Sequence, residues 1–252
     1  MNKHLITALL SMFFLTVWML VYKKSHDTSR KRKRITLWIG THLPGNPKRN
    51  YYFIVLFLYL VPPILFSFLL THFVGIKIGD MFSLEPQGGI TFVYLIILSF
   101  IAGVSLTILV TNLLIHFIPG IDIPSQIGSV MWIEATMDFP RKIVWIFPFM
   151  SACCEEIFFR GACLFSFLFI GMPEMMAIIL VTALFLANQL YLVETPVQAI
   201  VIGTGSFFLS VMGCMLVLLT NSIIPSMLMH AIYAAFFVNN NASFADKKGY
   251  VQ

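Results

Sequence analysis

The sequence predicts an all-α protein, a polytopic transmembrane bundle of about seven spans, with six to eight as the range. Three observations carry this. Hydrophobic residues make up 59% of the 252 residues and charged ones 11%, and mean hydropathy is +0.89; soluble domains average roughly 25% charged residues. The apolar residues fall into runs of about 20, the length needed to cross a bilayer as a helix. The basic residues gather between those runs rather than within them.

The runs and their polar breaks place spans at Leu5–Tyr22, Tyr51–Val74, Thr91–Phe117, Ile143–Ile170, Met175–Leu192, Val197–Thr220 and Ile223–Val238. Leu5–Tyr22 has the length of a signal peptide. It lacks a strong basic n-region and a small-residue cleavage site, and its charged flank follows it, so it reads as a retained anchor. Pro62-Pro63 is expected to kink the second span, where neighbours or waters must satisfy the freed carbonyls. Pro119-Gly120 and Pro124 end the third. The fourth is expected to begin as an interfacial segment at 143–148. Gly171 and Pro173 predict a tight turn that makes the fourth and fifth spans antiparallel neighbours. Gly203, Gly205 and Gly213 in the sixth predict close helix packing. Three sections follow: 1–140 with the amino-terminal spans and a basic loop, 141–238 as the core, and 239–252 as a tail.

Orientation follows from charge. Lys23, Lys24, Arg30, Lys31, Arg32, Lys33, Arg34, Lys48 and Arg49 lie in one loop, opposed only by Asp27; these are nine of the sixteen Lys and Arg residues. The positive-inside rule makes this loop cytoplasmic. Seven alternating spans then put Arg141, Lys142, Lys247 and Lys248 inside as well, leaving only Lys3 and Lys77 outside. The amino terminus is expected outside and the carboxy terminus in the cytoplasm, in an integral protein of the bacterial plasma membrane. A polybasic stretch next to a span is most economically a topology signal bound to anionic lipid headgroups, so membrane lipids, not nucleic acid, are the expected partners. Cys153, Cys154, Cys163 and Cys214 fall inside spans without CxxC spacing and read as small buried hydrophobes.

The most informative stretch is Cys153-Cys154-Glu155-Glu156-Ile157-Phe158-Phe159-Arg160. It sets two carboxylates and a guanidinium inside an apolar run. A charge at the centre of a spanning helix costs about 2.5–3.5 kcal/mol on insertion scales. Glu156 and Arg160 stand at i and i+4 with Glu first, the favourable order for a helical ion pair. That pairing leaves Glu155, about 100° around the helix, as the unpaired acid. Asn188, Gln189 and His230 are the other polar groups at depth that bear on it, with Ser226 or Glu155 as the expected partner of His230. Asn112 and His116 near the inner end of the third span read as interfacial.

Glu155-Glu156-x-x-x-Arg160 followed by Gly161 resembles the first motif of the CAAX protease and bacteriocin-processing (CPBP) family of intramembrane endopeptidases, which includes the Ras-converting enzymes. Leu184-Phe185-Leu186-Ala187-Asn188 matches the second motif, typically Phe-Gly-x-Ala-His, in spacing and in its Ala, with Asn188 where the family has His. His230 opens the last motif, His-x-x-x-Asn or Asp, and Ala234 occupies its final position. The resemblance covers about Arg141 to Val238. It implies that Glu155 is the general base on a water attacking a peptide carbonyl. It also implies that the Arg160–Glu156 pair supports the helix, and that polar groups on facing helices position the water or stabilise the oxyanion. His230 can do one of those jobs; Asn188 can donate a hydrogen bond but cannot exchange a proton near neutral pH.

No cofactor follows from these residues. Asn188 is a poor zinc ligand and there is no HExxH-type spacing, so a divalent metal on Glu155, Glu156 and His230 is conceivable but unsupported by ligand spacing. Three functions stay open. The first is an endopeptidase acting on a membrane-associated, leader-peptide or lipid-modified substrate. The second is a catalytically impaired relative serving as a scaffold, a bacteriocin-immunity protein or a regulator of a membrane-protein partner. The third is a small transporter with Glu155 as proton relay, for which no internal repeat or broken-helix pair speaks.

Overall fold

The computed structural model describes residues 3–25, 30–83, 89–130, 132–133, 136 and 144–247, with side chains described except at 30–32, 89 and 237–247. Asp27, Arg141, Lys142, Ile143 and Lys248, used above for topology and span limits, lie outside the described residues. The described chain is all helical. In order it forms α1 (Lys3–Ser25), α2 (Arg30–His42), α3 (Pro47–Val74), a 3-10 turn (Ile78–Phe82), α4 (Gly89–Phe117) and α5 (Ile123–Gly128). Next comes α6, residues 146–169, built of an α-helical start (Ile146–Glu156), a wider π-helical middle (Ile157–Leu164) and an α-helical end (Phe165–Phe169). The chain continues as α7 (Glu174–Leu190), α8 (Pro196–Thr220) and α9 (Ile224–Lys247). Helices α1, α3, α4 and α8 are long and apolar enough to cross a membrane, and α7 and the first half of α9 are shorter apolar helices. The molecule is a helical membrane bundle.

Each predicted span coincides with a helix, and the differences have local causes. The basic stretch is a helix over 30–42 rather than a loop, because it contains good helix formers and no Gly before Gly40. Among its described side chains Ile39 is the buried one, packed with Tyr51, Tyr52 and Val55 of α3, while Ile35, Leu37 and Trp38 are exposed. Asn46 caps α3, its side-chain oxygen accepting from the backbone N–H groups of Lys48 and Arg49. Pro62 and Pro63 sit within α3, whose helix runs on to Val74. The last helix continues through Asn239–Asp246 to Lys247, where no Gly or Pro interrupts its propagation. Asn112 and His116 are exposed.

The π-helical middle of α6 sits at the centre of the bundle. Phe158 through Leu164 are all buried, so this turn is enclosed on every side. One core joins Leu15 and Trp18 of α1 and Leu70 of α3 to Phe158, Phe159 and Leu164 of α6, Val181 and Phe185 of α7, and Leu209 of α8. The amino-terminal spans and the carboxy-terminal helices therefore share a single core. Gly161 lets Met81 of the 3-10 turn approach; a Cβ there would lie 3.2 Å from its Sδ. Gly171, at φ +83°, makes the turn from α6 to α7, with Met172 N donating to Phe167 O at 2.9 Å. Gly205 accommodates the Tyr233 hydroxyl, which a Cβ would meet at 2.7 Å.

The charge pattern yields a direct topological expectation. Reporters inserted at Lys33 and fused at the carboxy terminus should both read cytoplasmic, and one at Asp80 should read external. A Lys33 reporter on the same side as Asp80 would break the assignment.

Candidate active site

The site begins with Glu156, which is completely buried and has no contact with solvent. A carboxylate in such a place must be satisfied by protein donors. Arg160, one turn along α6, places Nη1 2.9 Å from Glu156 Oε1; this is an ion pair rather than an aligned hydrogen bond, since Nη1 makes none. His230 of α9 puts Nδ1 2.8 Å from the same oxygen. A carboxylate only accepts, so Nδ1 carries the hydrogen. Ser226, one turn earlier on α9, donates its hydroxyl to Glu156 Oε2 at 2.5 Å. Both expected partners of His230 thus give way to a third: His230 and Ser226 bond neither each other nor Glu155, but converge on Glu156.

Arg160 is equally enclosed. Its Nη2 donates to the backbone oxygen of Leu209 in α8 at 3.1 Å, and its guanidinium lies over the Phe185 ring at 4.4 Å. Phe185 also meets the His230 ring edge-on at 5.6 Å. Gly213 of α8 makes room for this cluster: a Cβ there would stand 2.6 Å from Ser226 Oγ and 3.0 Å from Arg160 Nε. The close packing expected of Gly213 is thus packing against the ion-pair network.

Glu155 faces the other way and is not unpaired. Tyr59 of α3 donates its hydroxyl to Glu155 Oε1 at 2.5 Å, and Gln189 of α7 donates Nε2 to Oε2 at 2.7 Å. Asn188 Nδ2 donates to the Tyr59 hydroxyl at 3.4 Å. Glu155, Asn188 and His230, from three different helices, line one cavity of about 100 Å³, together with Tyr22, Tyr59, Trp132, Gln189 and Ala234. Glu156 and Arg160 lie behind it. A smaller cavity of about 60 Å³ between α8 and α9 shares Trp132, Gln189, His230 and Ala234 with the first. Tyr22 and Tyr52 at the first cavity's edge belong to the ends of α1 and α3 that flank the basic segment. The Tyr51 hydroxyl ties those two ends together through the Ser25 carbonyl.

The comparison with protein families matches residues 139–236 to the type II CAAX prenyl endopeptidase Rce1-like family. Over this stretch the chain is similar to that family. The Rce1-like region contains α6 through most of α9 and hence Glu155, Glu156, Arg160, Asn188 and His230, whereas α1 and α3 lie outside it. No curated protein and no solved structure matches the chain.

Among the described residues of the Rce1-like region and the helices around it, no group of three or more His, Cys, Asp or Glu side chains is placed to hold a metal ion. The four cysteines are free. Two site residues escaped the motif reading. Gln189 stands beside Asn188, and its amide at membrane depth was a visible signal. Tyr59 gave a weaker one, a hydroxyl in the middle of an apolar span.

The Arg160 guanidinium and the Glu156 carboxylate should depend on each other. Arg160→Leu leaves Glu156 without its countercharge, an effect of about 3–5 kcal/mol for a broken buried pair. Thermal unfolding in detergent should show a large loss for Arg160→Leu; an unchanged melting temperature would mean that the pair holds nothing.

Proposed function

We propose that the chain is an intramembrane endopeptidase in which Glu155 activates water for attack on a peptide bond. The observation that carries this reading is the shared cavity: an acid, an amide and an imidazole from three helices face one small space, while the adjacent carboxylate is neutralised by Arg160. Glu155 takes a proton from water as the water oxygen bonds to the scissile carbonyl carbon, and the carbonyl oxygen becomes an oxyanion. Asn188 Nδ2 is the donor available to that oxyanion, while His230, whose Nδ1–H is given to Glu156, presents Nε2 as an acceptor that can hold the second hydrogen of the water. When the C–N bond breaks, Glu155 returns the proton to the leaving amine. The substrate is a membrane-associated or leader peptide entering from the side of the basic segment, which this reading makes cytoplasmic.

A specific observation keeps the scaffold reading beside it. Ala234 lines the cavity with a methyl group where the family motif has Asn or Asp. An impaired relative would retain the Glu156 network and lose turnover.

Purified protein in liposomes, incubated with a library of membrane-anchored peptides, tests the choice. Cleavage by wild type and a loss of about 10²–10⁴-fold in Glu155→Gln is the expected outcome. Cleavage that survives Glu155→Gln would overturn the mechanism. Inactive wild type with cleavage created by Asn188→His plus Ala234→Asn would establish the scaffold reading.

A further inference from the structure

We propose that Tyr59 is a positioning residue for Glu155, and that through it the amino-terminal spans complete a site whose other members lie in the Rce1-like region. The inference rests on Glu155 being the reacting carboxylate, as argued above. A phenol has a single hydrogen to give, and Tyr59 spends it on Glu155 Oε1 at 2.5 Å. Its oxygen accepts from Asn188 Nδ2 at 3.4 Å. Asn188 does not bond Glu155 itself; it reaches the acid through Tyr59. Where the family motif has a histidine, this chain has an amide that cannot carry a proton, and the Asn188–Tyr59–Glu155 chain gives that amide a role.

The geometry fixes the carboxylate rather than blocking it. Tyr59 takes one lone pair on Oε1 and Gln189 takes one on Oε2. The two donors come from α3 and α7, so they set the plane of the carboxylate from two independent helices. Each oxygen keeps a second lone pair with which to accept a proton from water. The phenol is itself held. Its ring packs against Trp18 at 5.0 Å and Tyr22 at 4.6 Å, both on α1. Trp18 is completely buried, so the Tyr59 ring cannot swing away without displacing α1. A donor that is half-buried, braced and aimed at one carboxylate oxygen has the properties positioning needs.

A merely structural hydroxyl would predict a loss of stability alone. Tyr59→Phe keeps the ring and its packing and deletes the one oxygen. Two readouts separate the roles. In the proteolysis assay, Tyr59→Phe is expected to lower kcat about tenfold or more with KM nearly unchanged. In infrared spectra of the protein in lipid, the carboxyl band lost in Glu155→Gln is expected to shift in Tyr59→Phe. Asn188→Ala, which leaves every Glu155 contact in place, should shift the same band by less, and should add nothing in the Tyr59→Phe background. An unmoved Glu155 band in both single variants overturns the proposal, as does a Tyr59→Phe effect confined to KM or to melting temperature. The infrared result stands whether or not the wild type cleaves anything. An inactive wild type therefore removes the protease reading, and the band alone still decides Tyr59. If Tyr59→Phe does not fold, the Asn188→Ala band decides it.

Discussion

The structure depends on satisfying one carboxylate that has no access to water. Glu156 takes a countercharge from its own helix and two hydrogen bonds from α9, and Arg160 carries the connection on to the backbone of α8. Removing a charge from water costs several kcal/mol even after relaxation, and only good geometry with further hydrogen bonds offsets that. Helices α8 and α9 must therefore stay in register with α6. Gly213 is part of the same requirement, since a side chain on α8 would occupy the space of Arg160 and Ser226. The other faces of residues 158–164 are closed by apolar packing, from Trp18 of α1, Leu70 of α3 and Phe185 of α7.

Once Glu156 is settled, the two adjacent acids become different groups. They are neighbours in sequence, yet one meets a guanidinium, an imidazole and a hydroxyl, and the other meets a phenol and an amide. Glu155 has only neutral donors and faces a cavity. Helical geometry alone turns successive residues by about 100°, which suffices to send one carboxylate into the bundle and the other to its edge. A structural ion pair and a chemically available acid thus arise from a single Glu-Glu step.

This division explains what could be read from the sequence. The spans and the Glu156–Arg160 spacing follow from local rules: lipid cannot satisfy charge, and i to i+4 places two residues on one face. The convergence of polar groups at depth follows from the same need for partners. Which partner each group chooses does not. His230 could have reached Glu155, and no periodicity says that Glu156 lies nearer. Tyr59 looks in sequence like any aromatic residue of an apolar span, and only the packing of α3 against α6 aims its hydroxyl at Glu155. The helix at 30–42 was hidden by its charge, which spoke for topology and masked the helix-forming composition of the same residues. The amino-terminal spans carried no motif, so their part in the site is visible only in three dimensions.

The two departures from the family pattern fall on the cavity and not on the network behind it. Asn188 and Ala234 line the space in front of Glu155, and neither contributes a hydrogen bond to Glu156 or Arg160. The interactions that hold the helices together are therefore complete without the family's residues at those two positions. A change at 188 or 234 leaves the contacts of Glu156 and Arg160 in place, whereas a change at 156, 160 or 213 touches α6, α8 and α9 at once. A fold arranged this way separates the residues that keep it assembled from those that line its cavity. The network behind the cavity is independent of what stands in front of it, here an amide that reaches the acid through a phenol supplied by another span.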